Sequence, residues 1–295
     1  MASFELHTWQ SRDGLTLSAR VYPGDLDRLP VLCLPGLTRN ARDFEDLAAA
    51  LSPGRRVICP DLRGRGSSQY APDPASYVPP VYCDDVLLLL ESLGIARFVA
   101  IGTSLGGIVT MILAGMLAGV DATRIAGAVL NDIGPEIDPA GLERIRGYVG
   151  VAARHADWDA AARALSTAQA DVYPGLDHAG WLRLAHRWMR ETGDGVEFDY
   201  DMAIAQPFAD DRNAAPAADV VQNPTMWPLF DALAGRPVAV VRGGNSDILS
   251  AATAAAMVAR HSGLDLVTLP GIGHAPTLDE PEARAAIHRL LDQVP

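Results

Sequence analysis

At 295 residues, with 49% hydrophobic residues and a formal net charge of −12, the chain can bury a large core and is too apolar to be disordered. The acidic balance argues against a nucleic-acid or anionic-membrane partner, either of which favours a basic face. Every basic residue is arginine and lysine is absent, which excludes Schiff-base and P-loop lysine chemistry.

Residues 4–10 and 15–22 alternate apolar and polar around Asp13-Gly14, the pattern of a hairpin with a D-G turn. Residues 30–34 form a continuous apolar run, as expected of a parallel strand covered by helices on both faces. The strand ends in Pro35-Gly36-Leu37-Thr38-Arg39-Asn40. Asn40 or Asp43 then caps a helix carrying Phe44, Leu47, Ala48 and Leu51. A second buried strand at 56–59 runs into the loop Asp61-Leu62-Arg63-Gly64-Arg65-Gly66-Ser67-Ser68. Its glycines match neither the dinucleotide nor the P-loop spacing, so a structural loop held by its arginines is expected. Residues 81–93 read as an apolar helix closed by Gly94.

The sequence F-V-A-I-G-T-S-L-G-G-I-V-T-M-I-L (98–113) then reads as strand, sharp turn and helix, with Ser104 at the apex of Gly102-x-Ser104-x-Gly106. That spacing is the nucleophile elbow. A sixth strand follows at 125–130. From 135 to 223 the βα rhythm gives way to amphipathic stretches at 142–151, 158–165 and 181–189, so a mostly helical insertion is expected there. The rhythm resumes with a strand at 238–241, a helix at 251–261, a strand at 264–269 and a last helix from Pro281. The fold class is therefore α/β, a doubly wound and mostly parallel sheet with an N-terminal antiparallel hairpin. The core spans 1–134 and 224–295, and the insertion at 135–223 follows the sixth strand.

Sites in such sheets form at the carboxyl ends of strands. His274, in Gly271-Ile272-Gly273-His274-Ala275-Pro276 after the last strand, lies on the same edge as Ser104 and suits the role of its base. The acid is expected at Asp247, just after strand 238–241, because its loop neighbours that of the histidine. Asp132, after the sixth strand, is the competing carboxylate, with a backbone-bonding role in its own turn as the alternative. The backbone N–H groups of Leu37 and Leu105 are the expected oxyanion donors.

Cys33, Cys59 and Cys83 stand alone, and no metal or organic cofactor is called for. Residues 1–12 are polar, without the apolar region of a signal peptide, and no run reaches membrane-spanning length. A cytoplasmic location is expected. Nothing in the residues sets an oligomeric state.

The segments L-P-G-L-T-R-N (34–40), D-L-R-G-R-G-S-S (61–68), G-T-S-L-G-G (102–107), R-G-G-N-S-D (242–247) and G-I-G-H-A-P (271–276) together resemble the α/β-hydrolase fold superfamily, in its serine-nucleophile branch with a helical cap. Pro35 departs from it, standing where a histidine is often found before the oxyanion glycine. The resemblance implies hydrolase chemistry at Ser104, Asp247 and His274. The expected reaction is cleavage of an ester of a small, largely apolar substrate. A carbon–carbon bond hydrolase or a lactonase is the alternative, and a non-enzymatic small-molecule receptor is disfavoured because every catalytic role has a candidate. Serine at the elbow argues against haloalkane dehalogenase or epoxide hydrolase chemistry, which needs a carboxylate nucleophile. Trp188, Phe208 and Trp227 are candidates for the pocket wall, and Arg39 for holding a substrate carboxylate.

Overall fold

The computed structural model describes residues 3–207 and 225–295. The expected hairpin forms from β1 (Glu5–Gln10) and β2 (Thr16–Tyr22), with Gly14 at φ 82° in the turn. The first half of the core continues through β3 (Val31–Leu34), α1 (Glu45–Leu51), β4 (Val57–Asp61), α2 (Pro79–Ser92), β5 (Phe98–Thr103), α3 (Leu105–Ala118) and β6 (Ile125–Asn131). Asn40 caps a 3-10 turn at Ala41–Phe44 ahead of α1, its side chain accepting from Arg42 N–H.

The insertion carries α4 (Pro139–Tyr148), β7 (Arg154–His155), α5 (Trp158–Gln169), α6 (His178–Trp188), β8 (Met189–Thr192) and β9 (Gly195–Phe198). The core then resumes with α7 (Trp227–Asp231), β10 (Val238–Gly243), α8 (Ala251–Arg260), β11 (Asp265–Leu269) and α9 (Pro281–Leu291).

The main sheet has eight strands in the order β1-β2-β4-β3-β5-β6-β10-β11. β2 pairs antiparallel with β4, and every pair from β4 onward is parallel. Side chains alternate between two cores, as a period of two demands. Leu32, Leu34, Phe98 and Ala100 face the core built by α2, α3 and α8, whereas Val31, Cys33, Val99 and Ile101 face that of α1 and α9. The strand order reverses between β3 and β5, and ligands in open α/β sheets bind beyond the carboxyl ends of strands at such a switch point.

The insertion differs from a purely helical one. Its short strands form an antiparallel sheet in the order β7-β9-β8. They are only two to four residues long, too short to show an alternating pattern in the sequence. A separate apolar cluster, including Ala161, Leu165, Trp181, Leu184 and Trp188, holds this part together. Buried Arg187 ties it to the core by pairing with Asp46 and Asp279. Arg42 donates to Met189 O at 3.0 Å and to Asp199 at 2.8 Å across the same boundary.

The loop after β4 is a structural scaffold. Asp61 accepts from Ala41 N–H at 2.7 Å and Ser67 N–H at 2.9 Å, while Arg63 pairs with Asp13 and Asp85. Among the described residues no helix is long and apolar enough to cross a membrane.

Candidate active site

The nucleophile elbow is where the sequence places it. β5 ends at Thr103, α3 begins at Leu105, and Ser104 between them has φ 51° and ψ −114°. A non-glycine residue at positive φ is strained and is held there by its surroundings. Ser104 N–H donates to Asn131 O at 2.9 Å, which pins the turn to the end of β6. The two flanking glycines are required by close approach. A Cβ on Gly102 would lie 2.4 Å from Gly106 C, and one on Gly106 only 2.0 Å from Leu34 O.

Ser104, His274 and Asp132 form a hydrogen-bonded line. His274 Nδ1 is 2.8 Å from Asp132 Oδ2 and its Nε2 is 2.9 Å from Ser104 Oγ. An ionised carboxylate only accepts, so Nδ1 carries the proton and donates to Asp132, leaving Nε2 to accept from the serine hydroxyl. Asp132 is fully buried, and its second oxygen accepts from Gly243 N–H at 2.8 Å. The histidine loop is braced on both sides. Gly273 N–H donates to Val172 O at 2.8 Å, Tyr173 OH to Ala275 O at 2.6 Å, and Asn131 Nδ2 to Pro276 O at 2.8 Å.

This geometry corrects the expectation that Asp247 is the partner of His274. Asp247 instead forms a two-pronged pair with Arg144 of α4, with Arg144 Nη2 donating to Oδ1 at 2.8 Å. That pair holds the Asp247 carboxyl below its usual range. Its backbone is clasped as well, since a Cβ on Gly141 would lie 2.1 Å from Asp247 O. The reason lies in the distance from the sheet. Asp247 lies four residues beyond the end of β10, in a loop drawn toward the insertion, whereas Asp132 follows β6 directly. At φ 55° its chain turns sharply at the sheet edge.

The sequence signal for Asp132 is this adjacency to a strand end. Glycines at the end of β10 make the crossing possible. A Cβ on Gly243 would lie 2.5 Å from Gly273 O, so the histidine loop leans directly over that strand.

On the other side of Ser104, the loop after β3 passes close by. A Cβ on Gly36 would lie 3.3 Å from Arg39 Cγ and 3.9 Å from Ser104 Cβ. No hydrogen bond among the described residues occupies the N–H of Leu37 or of Leu105. Leu105 is the first residue of α3, where N–H groups lack an intrahelical partner and the helix dipole favours negative charge.

Sequence reasoning expects the arginines of the 61–68 loop to be structural but does not tie Arg65 to the site. Arg65 is completely buried, donates through Nε to Leu37 O at 2.9 Å, and stacks over Tyr82 at 4.9 Å. By holding that carbonyl it sets the orientation of the loop that carries Leu37.

A cleft with a volume of about 60 Å³ opens beside Ser104 and His274, walled by Leu37, Phe44, Ile145, Tyr148, Tyr173 and Trp188. Of the candidate wall residues, Trp188 and Arg39 line it, with the Arg39 guanidinium 3.2 Å above the Trp188 ring. Trp227 does not. Its Nε1 donates to Glu136 at 2.7 Å, and its ring packs edge-on against Phe230 beneath Arg260. It opens α7, a helix docked on α3 through Leu229 at Gly115, and that docking fixes its place away from the cleft. Phe208 lies outside the described residues. No group of three or more His, Cys, Asp or Glu among the described residues is arranged to hold a metal ion.

A sheet with a strained serine at its switch point and a histidine–carboxylate pair beside it defines a hydrolase of the α/β class. The model of the alpha/beta hydrolase family matches residues 31–287, and the chain belongs to that family. It is 36% identical over 255 residues to a 3-hydroxybutyrate-oligomer hydrolase of Cupriavidus necator, covering 85% of this chain and 84% of that protein. It is 26% identical over 252 residues to a 2-(acetamidomethylene)succinate hydrolase of Mesorhizobium japonicum, covering 85% and 84%. Among solved structures, an alpha/beta hydrolase of Novosphingobium aromaticivorans superposes with a TM-score of 0.91 at 58% identity, covering both chains completely. The chain is a hydrolytic enzyme.

Proposed function

We propose that this hydrolase cleaves carboxylic esters through an acyl-enzyme on Ser104. The observation that supports this reading best is the 2.9 Å contact between Ser104 Oγ and His274 Nε2, backed by Asp132 at Nδ1. His274 takes the serine proton as Oγ attacks the ester carbonyl, and the N–H groups of Leu37 and Leu105 receive the developing oxyanion. The imidazolium, steadied by Asp132, returns its proton to the leaving alcohol. Water then attacks the acyl-enzyme with His274 as base, and protonated Ser104 leaves as the acid product is released.

The similarity to an enzyme acting on 3-hydroxybutyrate oligomers makes short hydroxyacid esters the first substrates to try. The location we propose is the reducing cytoplasm, which suits three free, buried thiols.

The test sets 4-nitrophenyl butyrate, a 3-hydroxybutyrate dimer, a γ-lactone and a vinylogous β-diketone side by side, with wild type and Ser104→Ala. Ester turnover that vanishes in Ser104→Ala is the expected result. Turnover of the diketone or lactone alone, or ester activity surviving in Ser104→Ala, overturns the proposal.

A further inference from the structure

The Arg39 guanidinium in the cleft stands out among the arginines that line it or border it. Arg187 is committed to Asp46 and Asp279, and Arg42 to Asp199 and to carbonyl oxygens. The Arg39 side chain makes no hydrogen bond or ion pair among the described residues, and its backbone N–H donates to Gly36 O at 3.1 Å. Its stem runs past Gly36, where a Cβ would lie 3.3 Å from Arg39 Cγ and 3.9 Å from Ser104 Cβ. Its guanidinium carbon lies over the Trp188 ring, 3.2 Å from the centroid, and Trp188 Nε1 is anchored to Asp43 at 2.7 Å.

Stacking of this kind occupies the face of the guanidinium and leaves the N–H donors at its edge available. Those donors are not sealed away, since none is among the buried atoms that lack a partner. The neighbouring Asp43 carboxylate accepts from Trp188 Nε1; burial raises its carboxyl above the usual range, and the charge of Arg39 opposes that rise.

We propose that Arg39 is the receptor for a free carboxylate on the substrate, so that the enzyme acts on acidic esters, those bearing a carboxylate close to the scissile bond. This rests on the esterase reading of Ser104. A planar carboxylate matches the two-pronged edge of the guanidinium, and the pair is formed in a cleft partly shielded from water, where charge-assisted hydrogen bonds are strongest. Trp188 holds the guanidinium in place, so little side-chain freedom is lost on binding.

The experiment compares each of two acids with its own methyl ester. 4-Nitrophenyl hydrogen glutarate carries the carboxylate on the acyl side, and 3-acetoxybutyrate carries it on the alcohol side. Wild type is expected to prefer the acid of at least one pair by roughly 10- to 100-fold in kcat/KM. That preference should fall close to one in Arg39→Met and be partly restored in Arg39→Lys, which keeps the charge without the fork. The ratio cancels any general loss from repacking Trp188.

Binding of the same four compounds to Ser104→Ala, with and without Arg39→Met, is measured by calorimetry and does not need turnover. Tighter binding of the acid that disappears with Arg39→Met supports the carboxylate receptor even if no ester is cleaved, an outcome that sinks only the esterase reading. Equal treatment of acid and methyl ester by the unmodified Arg39, in both turnover and binding, overturns it, as does an acid preference that survives Arg39→Met.

Discussion

Asp132 and His274 meet across the end of a strand that belongs to neither. Asp132 follows β6, His274 follows β11, and β10 runs between them, its Gly243 N–H donating to the same carboxylate that orients the imidazole. The Asp132 carboxylate is thereby held by two bonds at once, and its orientation is set by the sheet itself. Asp132→Asn should lower kcat by roughly 10³- to 10⁴-fold, because an amide cannot hold the imidazole in the required tautomer. Asp247→Asn should leave ester turnover within a few-fold of wild type. Steady-state kinetics of the two variants with one ester decides the matter, and a collapse confined to Asp247→Asn would restore that residue as the acid.

The close packing under the elbow predicts a cost in stability. A methyl group on Gly106 meets the Leu34 carbonyl at 2.0 Å, a backbone atom at the end of the central strand β3. Gly106→Ala should therefore lower stability by more than about 2 kcal/mol, toward the upper end of overpacking penalties. A urea titration measures it. An unchanged midpoint would mean that β3 and α3 part more easily than their packing implies.

Arg63 and Asp85 form a buried pair at 2.7 Å, and burial pushes the Asp85 carboxyl up despite the opposing pull of Arg63. Removing one partner strands the other. Arg63→Met should cost about 3–5 kcal/mol, while Arg63→Met with Asp85→Leu should recover most of that loss. Thermal melts of the single and double variants check this, and a double variant as unstable as the single one refutes it.

The same arginine reaches the exposed Asp13, and its hydrogen bond brings the Asp13 carboxyl down to about 2 from 3.8. A carboxyl whose value is lowered by folding lends stability that is fully present above 3.8 and is lost as the pH falls toward about 2. Asp13→Asn should thus flatten the dependence of stability on pH between about 4 and 2, with a modest effect because Asp13 faces water. Denaturant midpoints at a few pH values across that window supply the measurement. An identical slope in the variant would show the bond to be inconsequential.

Much of the architecture is legible in the residues because burial leaves a strong pattern. Val31 and Cys33 point to one core and Leu32 and Leu34 to the other, so a strand covered on both faces reads as an unbroken apolar run. Ser104 is legible because Gly102 and Gly106 are dictated by local contacts a few residues away. Which carboxylate meets His274 is not local in this sense. It depends on how far each loop travels from its strand and on Arg144, a residue of the insertion, drawing Asp247 aside. Trp227 shows the same limit, since an indole at a helix start reads alike whether it faces a cleft or, as here, Glu136 and Phe230. The small sheet of the insertion left no trace because strands of two to four residues carry too few alternations.

The ties between insertion and core bear on how a substrate arrives. Arg187 with Asp46 and Asp279, Arg42 with Asp199 and Met189, Arg144 with Asp247, and Gly273 with Val172 fasten the two parts at separated points around the cleft. Swinging the insertion open would break several of these at once and expose a buried guanidinium without its partners. The rim of the cleft is thereby braced on several sides at once.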